Sequence, residues 1–140
     1  MKEERLLFLV KTRLDQSLET LEDARALLSA GRSPPSILNR SYYGVFYAAL
    51  ALLQTIGETP SKHSGVLSLF DIEFYKRGLS TKEMSKVLHE LFELRQVSDY
   101  RLIEPISREQ AHDALAKAES FVSAVQIRSP HRCCVGWSPE

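Results

Sequence analysis

Tyr42-Tyr43-Gly44-Val45-Phe46-Tyr47-Ala48-Ala49-Leu50-Ala51-Leu52-Leu53 carries no charge and decides the fold. A helix that is apolar on all sides must be covered on nearly all of them. A membrane span needs about twenty apolar residues. This run is shorter, follows Asn39-Arg40 and is rich in tyrosine, so it reads as the central helix of a bundle, from about Pro35 to Ile56. Covering every face of it in so small a bundle could also call for a second subunit.

On the N-terminal side, Leu7, Val10, Leu14, Leu18, Leu21 and Leu28 recur at steps of three or four, with Ala24 filling the gap. That period predicts an amphipathic helix from about Glu3 to Ala30. Gly31 suits its C-terminal cap, and Ser33-Pro34-Pro35 supplies a turn, an N-cap and first-turn prolines for the central helix. On the C-terminal side, Gly57 and Thr59-Pro60 break the chain. A third helix is expected from Ser61 or Lys62 to Lys76, with Val66, Leu67, Leu69, Phe70 and Phe74 inward and Gly78 at its end.

Ser80-Thr81-Lys82-Glu83 has the capping-box pattern, with Ser80 as N-cap and Glu83 at N3. The fourth helix that it opens has the buried stripe Met84, Val87, Leu88, Leu91, and the next positions on that stripe are Arg95 and Ser98. After a loop from Tyr100 to Ile106, a second capping box, Ser107-Arg108-Glu109-Gln110, opens a fifth helix to about Gln126. Its inner face reads Ala111, Ala114, Leu115, Ala118, Phe121, Val122 and Val125. No strand-like alternation, internal repeat or low-complexity tract interrupts this pattern. The expected fold is all-α, an antiparallel up-down bundle of about five helices over residues 1–128, followed by a flexible tail at 129–140.

With 140 residues the chain fits one domain, large enough to fold without metal or disulfide support. Eighteen Lys and Arg balance 18 Asp and Glu, so no global positive field gathers nucleic acid, and such binding would need a local patch. Cys133 and Cys134 are adjacent, which is neither a disulfide framework nor, with His131, a metal-ligand spacing. No metal and no cofactor is expected. Met1-Lys2-Glu3-Glu4-Arg5 runs into an amphipathic pattern unlike a signal peptide, so the expected location is the cytoplasm. There is no Gly-rich phosphate loop, paired-carboxylate hydrolase pattern or nucleophile elbow.

The polar candidates are therefore few. Arg95 interrupts an apolar stripe, where a guanidinium must be paired, reach water or face a cleft. Asp99, four residues on, can pair with it, but Arg preceding an acid is the weaker helical order. A bridge that only locks the helix end stays open beside a functional role. Asn39, Arg40, Tyr43 and Tyr47 form one polar flank of the central helix, or the tyrosines simply pack by their rings. Lys62-His63 begins the third helix. The positive helix end disfavours imidazolium there and Lys62 could meet a phosphate, or His63 is an exposed loop residue. His89 and His112 read as solvated helix positions.

Asn39-Arg40-Ser41-Tyr42-Tyr43 with the Tyr-Ala-Ala run after it, Lys62-His63-Ser64-Gly65-Val66, and Leu94-Arg95-Gln96-Val97-Ser98-Asp99-Tyr100 occur in an order that resembles the small prokaryotic HEPN-domain proteins. The similarity spans about Glu3 to Val125. It implies an up-down bundle that dimerises, often encoded beside a minimal nucleotidyltransferase in toxin–antitoxin or defence modules. Many members are metal-independent ribonucleases that use an Arg followed by a His. There the His assists proton transfer from a ribose 2′-hydroxyl and the Arg stabilises charge on the phosphate.

Arg95 carries over as the motif arginine. The histidine does not, because Asp99, Tyr100 and Leu102 stand where it is expected and the next histidine is His112. The resemblance then implies a homodimer whose cleft, lined by Arg40, Tyr43, Lys62, His63, Arg95, Asp99 and Tyr100, binds nucleotide or RNA and works with a nucleotidyltransferase. One alternative is an endoribonuclease in which His63 replaces the missing histidine beside Arg95. Another is a helical module that only mediates assembly.

Overall fold

The apolar periodicity becomes five α-helices in the computed structural model, which describes residues 2–100 and 105–128, the side chains of Lys2 and Tyr100 excepted. They are α1 (Lys2–Ser29), α2 (Pro34–Thr55), α3 (His63–Phe70), α4 (Lys82–Tyr100) and α5 (Arg108–Arg128). A π-helical turn, Asp71–Tyr75, continues α3, and there is no strand among the described residues. The expected tail with His131, Cys133 and Cys134, and Leu102 in the loop before α5, lie outside the described residues.

The helix ends follow from their residues. Gly31 has φ +68°, and beside it the Arg32 amide donates to the Leu27 carbonyl at 2.9 Å. This closure leaves orphan carbonyls satisfied and suits a residue without Cβ. Gly57 repeats it, with the Glu58 amide on the Leu53 carbonyl at 3.0 Å. Pro34 and Pro35 open α2, where missing amides cost nothing. Ser107 and Gln110 form the reciprocal capping box at α5, with the Gln110 amide 3.1 Å from Ser107 Oγ and the Ser107 amide 2.9 Å from Gln110 Oε1.

The fourth helix starts one residue later than its pattern predicts. Thr81, not Ser80, is the cap, its Oγ1 accepting from the Met84 amide at 3.1 Å. The Leu79 and Ser80 amides both turn back onto the Phe74 carbonyl, so Ser80 belongs to the preceding turn. The third helix is not continuous to Lys76 either. It widens at Asp71, and the Lys76 amide reaches the Asp71 carbonyl at 2.8 Å, five residues back. The Asp71 carboxylate meanwhile accepts from Ser85 Oγ at 2.6 Å and pairs with His89 Nε2 at 2.7 Å. His89 is thus a tether between α4 and the π turn rather than a merely solvated position.

α2 packs against α1, α3, α4 and α5. Tyr42, Val45, Ala48, Ala49 and Leu53 are wholly enclosed, each large apolar side chain contributing about 1.5–3 kcal/mol by leaving water. One chain therefore covers nearly all of this helix, and the uncharged run does not itself require a second subunit. The closest approach is at Gly44, where an added Cβ would lie 2.6 Å from Leu21 Cδ2. Ser17 Oγ donates to the Gly44 carbonyl at 2.6 Å. Carried outward, this antiparallel register brings Leu6 level with Thr55. The first turns of α1 consequently run to the end of α2, and Leu7, expected inside, is 41 % exposed. The inner face of α5 is buried at all seven expected positions, and that of α4 from Met84 to Leu91.

Candidate functional site

Position 95 on α4 points toward the first turns of α2, where the rings of Tyr42 and Tyr43 stand side by side. The Arg95 guanidinium carbon lies 5.4 Å from the centre of the Tyr42 ring and 5.2 Å from that of Tyr43. Ring quadrupoles attract a cation so placed, more strongly as water is removed, and the Arg95 side chain is only 24 % exposed. Asp99 contributes less than spacing suggests. Its Oδ2 is 3.5 Å from Nη2 and its side chain is 55 % exposed, which is long for a charge-assisted pair and open to screening. Arg95 Nε is buried with no hydrogen-bond partner among the described residues. A bridge locking the helix end thus accounts for little of how Arg95 is held.

His63 approaches the same two tyrosines as the first residue of α3. Its Nδ1 is 2.9 Å from the Tyr42 hydroxyl, its ring lies 4.1 Å from that of Phe46, and Tyr43 meets it edge to face at 5.7 Å. Burial, and secondarily the Arg95 charge, lower its pKa below the usual histidine value, so the ring is neutral near pH 7. The direction is that expected from the helix end, but the aromatic enclosure is the larger cause. Burial raises the Tyr42 pKa well above its ordinary value against the opposing pull of Arg95, so Tyr42 keeps its proton. When Nδ1–H donates to the Tyr42 oxygen, Nε2 is left with a free lone pair and can accept a proton. In the other tautomer the Tyr42 hydroxyl donates and Nε2 carries the hydrogen.

Arg40 extends the cluster along α2. Its guanidinium carbon is 5.5 Å from the Tyr43 ring centre, and its Nε and Nη2 donate to Asn39 Oδ1 at 3.2 and 2.9 Å. Asn39, Arg40 and Asp99 share an open groove of about 470 Å³ with Leu27, Ser33, Pro35 and Ser36. Of the residues expected at the site, Arg40, Tyr43, His63, Arg95 and Asp99 therefore come together around α2. Lys62 is exposed at the N-cap of α3 and joins none of these contacts among the described residues. Tyr100 ends α4, its side chain outside the described set.

Two members escaped the sequence reading. Tyr42 touches both Arg95 and His63, and Phe46 forms the floor under His63. They stand one turn apart on α2, but the apolar run around them gave no reason to single them out until α3 was laid against that face. Chemically, the cluster offers a guanidinium with no close carboxylate among the described residues, aromatic rings and a neutral imidazole, a set suited to an aromatic anion such as a nucleotide.

The chain matches the HEPN domain over residues 10–128. A UPF0332 protein of Thermotoga maritima is 42 % identical over 108 residues, 77 % of this chain and 81 % of its own. Two Methanocaldococcus jannaschii proteins, each named "Putative toxin", are 37 % and 32 % identical across 61 % and 62 % of this chain. The matches take in 58 % and 64 % of those two relatives, so this chain spans less than two thirds of either.

Proposed function

Because the chain belongs to the HEPN-domain family, we propose that it is the HEPN member of a toxin–antitoxin or defence module, and that its Arg95 site binds a nucleotide or RNA phosphate. The observation carrying this reading is Arg95 itself, a mostly buried guanidinium laid over Tyr42 and Tyr43, with no close carboxylate among the described residues. A phosphate would approach the guanidinium through the part of the side chain that stays open, 24 % of it, and Tyr43 would offer the base a ring. The test is the affinity of purified protein for AMP and short RNA. Arg95→Ala should weaken both at least tenfold, on the scale of a lost charged hydrogen bond of about 1.5–3 kcal/mol. Equal affinity in wild type and variant refutes the reading and leaves a purely structural assembly module.

A second reading, metal-independent RNA cleavage, is favoured by one observation: His63 is held neutral against the same tyrosines that carry Arg95. In it His63 Nε2 takes the 2′-hydroxyl proton while Arg95 stabilises the phosphorane charge. RNA that stays intact with wild type across pH 5–8, in the presence of chelator, excludes it.

The proposed assembly is a homodimer working with a minimal nucleotidyltransferase, in the cytoplasm. Support comes from the HEPN match, from the toxin-named relatives, and from the absence of any membrane-crossing helix among the described residues. A monomer in sedimentation at micromolar concentration removes the dimer from this picture.

A further inference from the structure

The cation and ring pattern does not stop at Arg95. One turn beyond Tyr43 on α2 is Tyr47, its ring centre 5.7 Å from that of Tyr43. The Arg13 guanidinium carbon, coming from α1, stands 5.9 Å from the Tyr47 ring. Arg13 Nη1 donates to the neutral amide oxygen of Gln16 at 2.8 Å, as Arg40 donates to the neutral oxygen of Asn39. Both guanidiniums are thus oriented by amides, which leave the charge uncompensated, in a chain that has 18 acids available to pair with its 18 bases. The rings of Tyr43 and Tyr47 are half-buried, and no hydrogen bond holds either hydroxyl among the described residues. Together they line one flank of α2, Arg40, Tyr43 and Tyr47 stepping by about one helical turn of 5.4 Å, with Arg13 of α1 set beside Tyr47.

We infer that Arg13 and Tyr47 form a second subsite, continuous with the Arg95 site, which takes the neighbouring nucleotide of a single-stranded RNA, its base on Tyr47 and its phosphate at Arg13. This rests on the proposed nucleotide or RNA reading and narrows it from a free mononucleotide to a strand. Alternating stacking faces and guanidiniums fit a flexible strand because every base has a face to stack and every step a phosphate. A duplex, whose bases are already stacked on one another, gains nothing from the tyrosines. A mononucleotide at Arg95 with its base on Tyr43 leaves Tyr47 and Arg13 for the next residue of a strand.

The test compares AMP, a single-stranded hexaribonucleotide and the same sequence in a duplex, titrated against wild type, Arg13→Ala, Tyr47→Leu, Tyr47→Phe and Arg95→Ala. Arg13 is half-buried and outside the apolar core, so its removal leaves that core intact, while Tyr47→Phe preserves the ring. The hexamer should bind Arg13→Ala and Tyr47→Leu about tenfold more weakly, within the range of one lost stacking contact. Its salt dependence with Arg13→Ala should fall by roughly 0.7 in the slope of log K on log salt, the value for one phosphate contact of a single strand. AMP affinity should be unchanged in both, and Tyr47→Phe should behave as wild type. Hexamer binding unaffected by Arg13→Ala and Tyr47→Leu, or a duplex bound as tightly as the strand, overturns the second subsite. If Arg95→Ala also leaves AMP binding unaltered, or wild type binds neither ligand, the underlying reading falls with it.

Discussion

At the scale of single residues, His63 links the site to stability. Its folded-state pKa is lowered from 6.5 by burial and by Arg95, while in the unfolded chain it keeps the ordinary value. As pH falls through about 6.5 the unfolded state takes up a proton that the folded state refuses, so stability is lost on acidification and continues to fall down to the folded pKa. Above that range both states are neutral and this residue adds no pH dependence. Replacing His63 by Asn should therefore narrow the gap between the melting temperatures at pH 7.5 and pH 5.5. An unchanged gap would place the acid sensitivity elsewhere. The oddness of Arg95 was legible in the sequence, because a core residue was due at that point of the α4 stripe. The partners of Arg95 were not. Tyr42 lies inside an uncharged run and reveals itself only through the α3 residue opposite it, a contact across 21 positions of chain.

Elements were easier to read than their joints. The helical period of α1, α2, α4 and α5 is set by many residues and survives one or two misplaced ones, such as Leu7. The π turn is set by a single carboxylate bound from another helix, and Phe70 and Phe74 point inward whether or not the helix widens between them. In the same way the capping-box pattern favours Ser80, and the turn before it hands the cap to Thr81. Gly44 shows where local preference yields to packing. Ala there would gain about 1 kcal/mol of helix propensity, yet its Cβ would press on Leu21, itself buried, at 2.6 Å. Overpacking of this kind costs about 1–3 kcal/mol, and the Ser17 bond to the Gly44 carbonyl keeps the helices from separating. Gly44→Ala should accordingly lower the denaturation midpoint despite its better propensity. A raised midpoint would mean that α1 can shift away from α2.

For the whole molecule, the decisive fact is that α2 is enclosed by helices on both sides of it in sequence. α5 supplies Ala114, Ala118, Phe121, Val122 and Val125 to the core shared with α2, and Arg25 of α1 pairs with Glu119 of α5 on the surface. A chain ending after Ser107 should show no cooperative thermal transition. Cooperative unfolding of the shorter chain would show that α1 to α4 form a core without α5. The order in which the chain is made gives this arrangement another meaning. Ribosomes add about 5–20 residues per second, so Leu53 emerges roughly 4–14 seconds before Val125, which must close over the same core. For that interval α2 can be covered by α1 and, as they emerge, by α3 and α4, but not by α5, and it is during translation, more than in the finished fold, that this stretch is open to chaperones and to aggregation.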